Sequence, residues 1–190
     1  MLDEKSNRYM VYLQNEGYIP KDAQYILLMA RKILLGSTIR DVRVSRDCLE
    51  FDITFENKEN MQKMIAGLSL IGKFIESNKV VEMDIGKHEA MQLARKYFNS
   101  ERYWNAHEVM EGVWKKAMGD EKKLLNGLIL IAAGLVHYQK DERDICLGIL
   151  QRAIEKLANA DGVYFGLDVA ATKGEIEKIL ESRRVHTFKI

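Results

Sequence analysis

The residues of this sequence best suited to chemistry stand in YFNSERYWNAHEVMEGVW, residues 97–114. His107 and Glu111 are four apart, so a helix carries them on one face, where together they can hold one ion. The same spacing sets two histidines around zinc in an HExxH helix, but here Glu111 takes the second histidine's place and the pattern is incomplete. Glu108 lies about 100° round the helix from His107. It is the candidate general base, although its direction is toward solvent. On the wheel Tyr103, Ala106, Met110, Val113, Trp114 and Ala117 form an apolar arc, with His107 inside it and Glu111 on its border. A polar pair at the edge of a buried face needs partners.

His137, near the end of the next helix, is the natural third member. If the two helices form a hairpin about Gly119, His107 and His137 are offset by about 9 Å along the axis, at about 1.5 Å per residue. Helical side chains lean toward their own N-terminus, so in an antiparallel pair the two histidines lean toward each other. Asn126 is then nearly level with Glu111, and Ala133 and Gly134 let the backbones approach. Two readings stay open. One is a satisfied internal seam, His107 to Glu111 and Glu111 to Asn126, which sets the helix register. The other is a metal or ligand site of His107, Glu111 and His137, suited to zinc or non-haem iron. Trp104 and Asn126 complete the candidate ligand-binding set, though Trp104 and Trp114 are the kind of residue that usually fills a core.

Helices of roughly residues 87–98, 101–118, 121–140 and 142–159 are predicted to position these groups, with Ser100 and Asp120 as N-caps and Gly119 as a C-cap. The third is apolar nearly all round and belongs at the centre of a bundle. The loop ADGVYFGLDVAATK leads to a short last helix ending near Ser182. The basic residues Arg183, Arg184, His186 and Lys189 beyond it read as a solvated, mobile tail.

Strand signals lie earlier. Leu49, Phe51, Ile53 and Phe55 alternate with Glu50, Asp52, Thr54 and Glu56, a strand with one buried face and one acidic open face. TIRDVRV before it makes a hairpin partner, RYMVYL an earlier strand, and KVVEMDI a later one. Pro20 opens a helix that runs to Gly36, and Asn57 caps another carrying Met61, Met64, Ile65, Leu68, Ile71 and Ile75. Strand, helix, strand, strand, helix, strand is the order of a ferredoxin-like, split βαβ domain. The expected architecture is this α+β domain over residues 1–84, then an all-α helical bundle over 85–190.

With 29 basic and 28 acidic residues in 190, no field of one sign is available to hold a polyanion, which argues against nucleic acid. Cys48 and Cys146 lack any pairing pattern, so a reducing compartment is expected, and the acidic, polar opening residues do not resemble a signal peptide. The longest apolar run, Leu124 to Val136, is short for a bilayer. A cytoplasmic location follows as the expectation, with no membrane partner. No phosphate-binding loop, dinucleotide-binding glycine pattern or nucleophile elbow is present.

Phe98-Asn99, Tyr103-Trp104, His107-Glu108, Glu111 and Trp114, followed by Gly127-Leu128-Ile129, Ala132 and His137, resemble the domain-of-unknown-function family 309 (DUF309). Tyr164 to Ala170 is similar to that family's closing segment. The resemblance covers about residues 90–170 and implies an all-helical fold without an established activity. Leu130 departs from it, standing where glutamine is common, which implies a drier or altered site. The expected function is a non-enzymatic binding or assembly module, self-associating as a homodimer through a sheet edge or the VYFGLDV loop. The alternative is a metal-dependent hydrolase working at His107, Glu111 and His137.

Overall fold

A computed structural model describes residues 7–55, 60–81 and 83–190, the side chains of Asn60 and Met61 excepted. The chain divides into two compact units, Met1–Glu82 with Gln139–Asp141, and Met83–Tyr138 with Glu142–Ile190.

The first unit runs β1 (Arg8–Gln14), α1 (Ala23–Ile33), β2 (Ser37–Val44), β3 (Cys48–Phe55), α2 (Asn60–Leu68) and β4 (Phe74–Lys79). A single 3-10 turn, Pro20–Asp22, starts α1, where the fixed φ of Pro20 suits a helix entry. The sheet order is β2-β3-β1-β4 with every neighbouring pair antiparallel. One face buries Val11, Leu13, Leu49, Phe51, Ile53 and Phe55 against Ile26, Leu27 and Ala30 of α1 and Met64 and Leu68 of α2. Each such side chain contributes about 1.5–3 kcal/mol on leaving water, which makes the alternation of β3 decisive for its register.

Two expectations are corrected here. The last strand is FIESNK rather than KVVEMDI, and α2 ends at Leu68, well before Ile75. The break is at Gly72, where a Cβ would come within 2.5 Å of the Gln14 carbonyl oxygen. That close approach lets Gln14 donate its N–H to the Lys73 carbonyl at 2.7 Å and starts the β1–β4 ladder. The Asn57 cap falls outside the described residues. The second correction is that the acidic face of β3 is not open: Glu50 and Asp52 are 4% and 2% exposed. Arg43, opposite Glu50 in the β2–β3 register, pairs with Glu50 and stands 3.6 Å from Asp52. Arg8 grips Asp52 with two hydrogen bonds at 2.8 and 2.6 Å. Buried carboxylates survive only when paired in this way.

The second unit contains α3 (Lys87–Asn99), α4 (Tyr103–Lys116), α5 (Gly119–Tyr138), α6 (Arg143–Leu157) and α7 (Val169–Ser182). Between the last two, the expected loop holds a two-residue ladder of β5 (Val163–Tyr164) and β6 (Leu167–Asp168). α7 is a full 14-residue helix, and Asp168 caps it by accepting from the Ala171 N–H. The apolar circumference of α5 is explained by its central place: Leu125, Leu128, Ile131, Ala132 and Leu135 are sealed in one core with residues of α3, α4, α6 and α7. Gly127 and Gly134 open the way for α6, since a Cβ on either would press on Leu157 or Leu150. Gly134 thus serves the α5–α6 contact rather than the α4–α5 approach.

The caps differ from the sequence reading. Ser100 closes α3, bonding back to the Lys96 carbonyl at 2.9 Å, and Glu101 turns the chain with φ of 58°. Gly119 and Asp120 are already in the first turn of α5. The tail is docked as well. Val185, Phe188 and Ile190 pack on the core, and His186 meets Glu175 at 3.0 Å. Its apolar residues, interleaved with the charges that suggested mobility, provide the attachment.

Candidate functional site

α4 buries Tyr103, Ala106, Val109, Met110 and Val113. That stripe is centred between Ala106 and Met110, and it includes Val109 where Trp114 had been expected. His107 and Glu111 therefore sit on its border, with side chains 24% and 41% exposed, and the seam between them is edged by solvent rather than sealed. His107 Nε2 is 3.8 Å from a Glu111 carboxylate oxygen, the i, i+4 relation of the sequence. Glu108, although outward-leaning and 42% exposed, brings an oxygen to 3.5 Å from His107 Nδ1.

The structure thus gathers His107, Glu108 and Glu111, whose donor atoms all lie within 4.8 Å of one another. Nδ1 of His107 is shielded from solvent and makes no hydrogen bond. A shielded polar atom without a bond is an unmet demand for a partner. One imidazole and two carboxylates on a solvent-edged face form a donor set suited to a divalent cation.

His137 does not join this group. It stands in the last turn of α5, where its Nδ1 is 2.5 Å from Glu142, the residue just before α6. Trp104 and Asn126 are half-buried on α4 and α5. Trp114 rests partly on the core with the Lys122 ammonium 4.6 Å from its ring centre. Cys146 is a buried thiol, and burial pushes its pKa up to about 12.

Two polar constellations escaped the sequence reading. Asn99 accepts from the Ile190 N–H at 2.8 Å and donates to the Ile190 carbonyl at 3.1 Å, while Arg95 Nε donates to the same oxygen at 2.7 Å. The signal was the Phe98-Asn99 pair: an amide in the last turn of a helix is free to bind something other than its own backbone. In the second, the Tyr164 hydroxyl donates to Glu121 at 2.7 Å, and Lys87 pairs with the same carboxylate. The Lys87 hydrogen bond first, and that of Tyr164 next, hold Glu121 below the usual carboxylate range. Burial, then Glu121, raises the Tyr164 phenol above its ordinary value. The two-residue Phe165-Gly166 turn, with φ of 48° and 79°, sets Tyr164 there. A Cβ on Gly166 would meet the Arg95 guanidinium at 2.8 Å.

Residues 91–149 match the family model described as "Domain of unknown function (DUF309)". No family model matches the N-terminal region. An uncharacterized protein of Aquifex aeolicus (strain VF5) is 24% identical over 98 residues, 51% of this chain and 29% of that protein. The chain therefore spans under a third of the length of this curated relative. A conserved hypothetical protein from Thermus thermophilus, known as a crystal structure, is 31% identical over 47% of this chain and 94% of its own, with a TM-score of 0.43. The chain belongs, through residues 91–149 of its helical unit, to the DUF309 family.

Proposed function

We propose that this protein is a non-enzymatic binding module whose helical unit holds a divalent cation, zinc or ferrous iron, on His107, Glu108 and Glu111. The observation that carries the reading is the shielded, unbonded Nδ1 of His107 with two carboxylates converging on the same ring. Set against the earlier candidate of His107, Glu111 and His137, Glu108 replaces His137, because His137 is occupied by Glu142. The first unit serves as the assembly half. Its βαββαβ element order and its β2-β3-β1-β4 antiparallel sheet support a ferredoxin-like, split βαβ classification. Two buried thiols outside any disulfide suit a reducing cytoplasm, and no described helix is long and apolar enough to cross a membrane.

The test is equilibrium dialysis of the full chain against zinc and, anaerobically, ferrous iron, followed by elemental analysis. One ion per chain is expected, with affinity falling more than about tenfold in His107→Ala and Glu111→Gln, since losing even an outer-shell partner of a ligand costs about 10–100-fold. Retention of the ion by both variants, or no stoichiometric ion in the native chain, overturns the reading. The hydrolase alternative makes Glu108 a base rather than a ligand. It would be favoured if Glu108→Gln kept the ion and abolished a metal-dependent ester hydrolysis.

A further inference from the structure

We propose that Arg184–Ile190 is an exchangeable arm, able to seat on α3 of a second copy of this chain as it seats on its own. This stands apart from the cation site and uses none of its residues. The receptor is the C-terminal half of α3. Asn99 engages both main-chain groups of Ile190, at 2.8 and 3.1 Å, as a neighbouring strand would. Arg95 Nε adds a third hydrogen bond at 2.7 Å. Phe188 lays its ring 5.5 Å from that of Phe98. Recognition of one residue's backbone with alternate apolar side chains packed on the core is the way extended peptides are bound, and it does not depend on which chain supplies the peptide.

The hinge supplies the motive. Arg183, the residue just after α7, has φ of 52° and ψ of 22°, a left-handed conformation that residues other than glycine adopt at a penalty. It is held there by Arg143, which donates to the Arg183 carbonyl, and by Asp144, 3.5 Å from its guanidinium. The Asn99, Arg95 and Phe98 contacts all lie beyond this one residue. Exchange therefore keeps each of them while freeing Arg183 to extend. A short hinge under strain, with its contacts reproducible by a partner, is the condition under which two identical chains trade segments and close as a symmetric pair.

The experiment uses full-length chains. Light scattering across rising concentration should show species of twice the 21.9 kDa chain mass. Mixing an Asn99→Cys chain with an Ile190→Cys chain under mild oxidation should give a covalent pair joined between positions 99 and 190. Arg183→Gly, for which the left-handed conformation carries no penalty, should reduce the paired fraction about tenfold. A monomeric mass at every concentration overturns the proposal. So does a pair whose doubly substituted chain, Asn99→Cys with Ile190→Cys, closes only on itself, because the pair then forms through another surface. An Arg183→Gly chain that pairs as well as the native one overturns the role given to the hinge.

Discussion

Asn99 and Ile190 are 91 positions apart and joined by two hydrogen bonds, one in each direction between the Asn99 side-chain amide and the main-chain N–H and oxygen of Ile190. The pair fixes the last residues of the sequence to the helix that opens the second unit. Asn99→Ala should destabilise that unit by about 1–3 kcal/mol, because the half-buried Ile190 N–H loses its acceptor while its oxygen keeps only Arg95. Urea denaturation followed by circular dichroism measures this. A loss below about 0.3 kcal/mol would mean that the arm contributes nothing to folding.

His107→Ala should leave the fold nearly intact. Its Nδ1 has no hydrogen bond to lose, and Glu108 and Glu111 are each more than a third exposed, so neither carboxylate is stranded. The expected change is less than about 1 kcal/mol, the worth of one ordinary hydrogen bond, together with loss of cation binding. A large drop in melting temperature without any change in bound ion would identify a purely structural histidine.

Arg43→Ala should be the most damaging single change in the first unit. It removes the partner of Glu50 and one of the two cations beside Asp52, both of which are buried. Breaking a buried pair by deleting one member typically costs about 3–5 kcal/mol. Thermal denaturation of the variant checks this, and a cost under about 1 kcal/mol would show that water reaches the pair.

Acid should weaken the helical unit through Glu121. Its pKa is depressed in the folded state, first by Lys87 and then by Tyr164, so its contribution is present above the ordinary value of 4.5 and lost as pH falls through the folded value. Glu121→Gln should therefore flatten the melting temperature between about pH 6 and about pH 2 relative to the native chain. Its side chain is about one-third exposed, and solvent screening keeps the effect modest. Parallel curves for the two proteins would remove Glu121 from the account.

A chain trimmed to residues 85–190 should fold alone with a cooperative melt. Its core draws on five helices and on the docked arm, all from residues within that span. A broad, non-cooperative transition by calorimetry would show that the two units depend on each other.

Local patterns settled a good deal about this protein without any structure. The alternation of Leu49, Phe51, Ile53 and Phe55 set the inward face of β3, and the all-round apolarity of residues 124–136 placed α5 at the centre of its unit. The i, i+4 spacing brought His107 and Glu111 together, because helical geometry alone decides that relation. Tertiary structure decided the rest. Glu50 and Asp52 read as a solvated face because their neutralising partners, Arg43 and Arg8, stand on other strands, and only pairing of the strands brings them within reach. α2 stopped short of Ile75 because Gly72 meets the Gln14 backbone, a contact between segments far apart in the chain. Asn99 turned to Ile190 for the same reason, whereas His137 found Glu142 only five residues on, across the turn that follows α5. Which partner a polar side chain finds depends on the meeting of distant segments, and spacing along a single element carries no record of that.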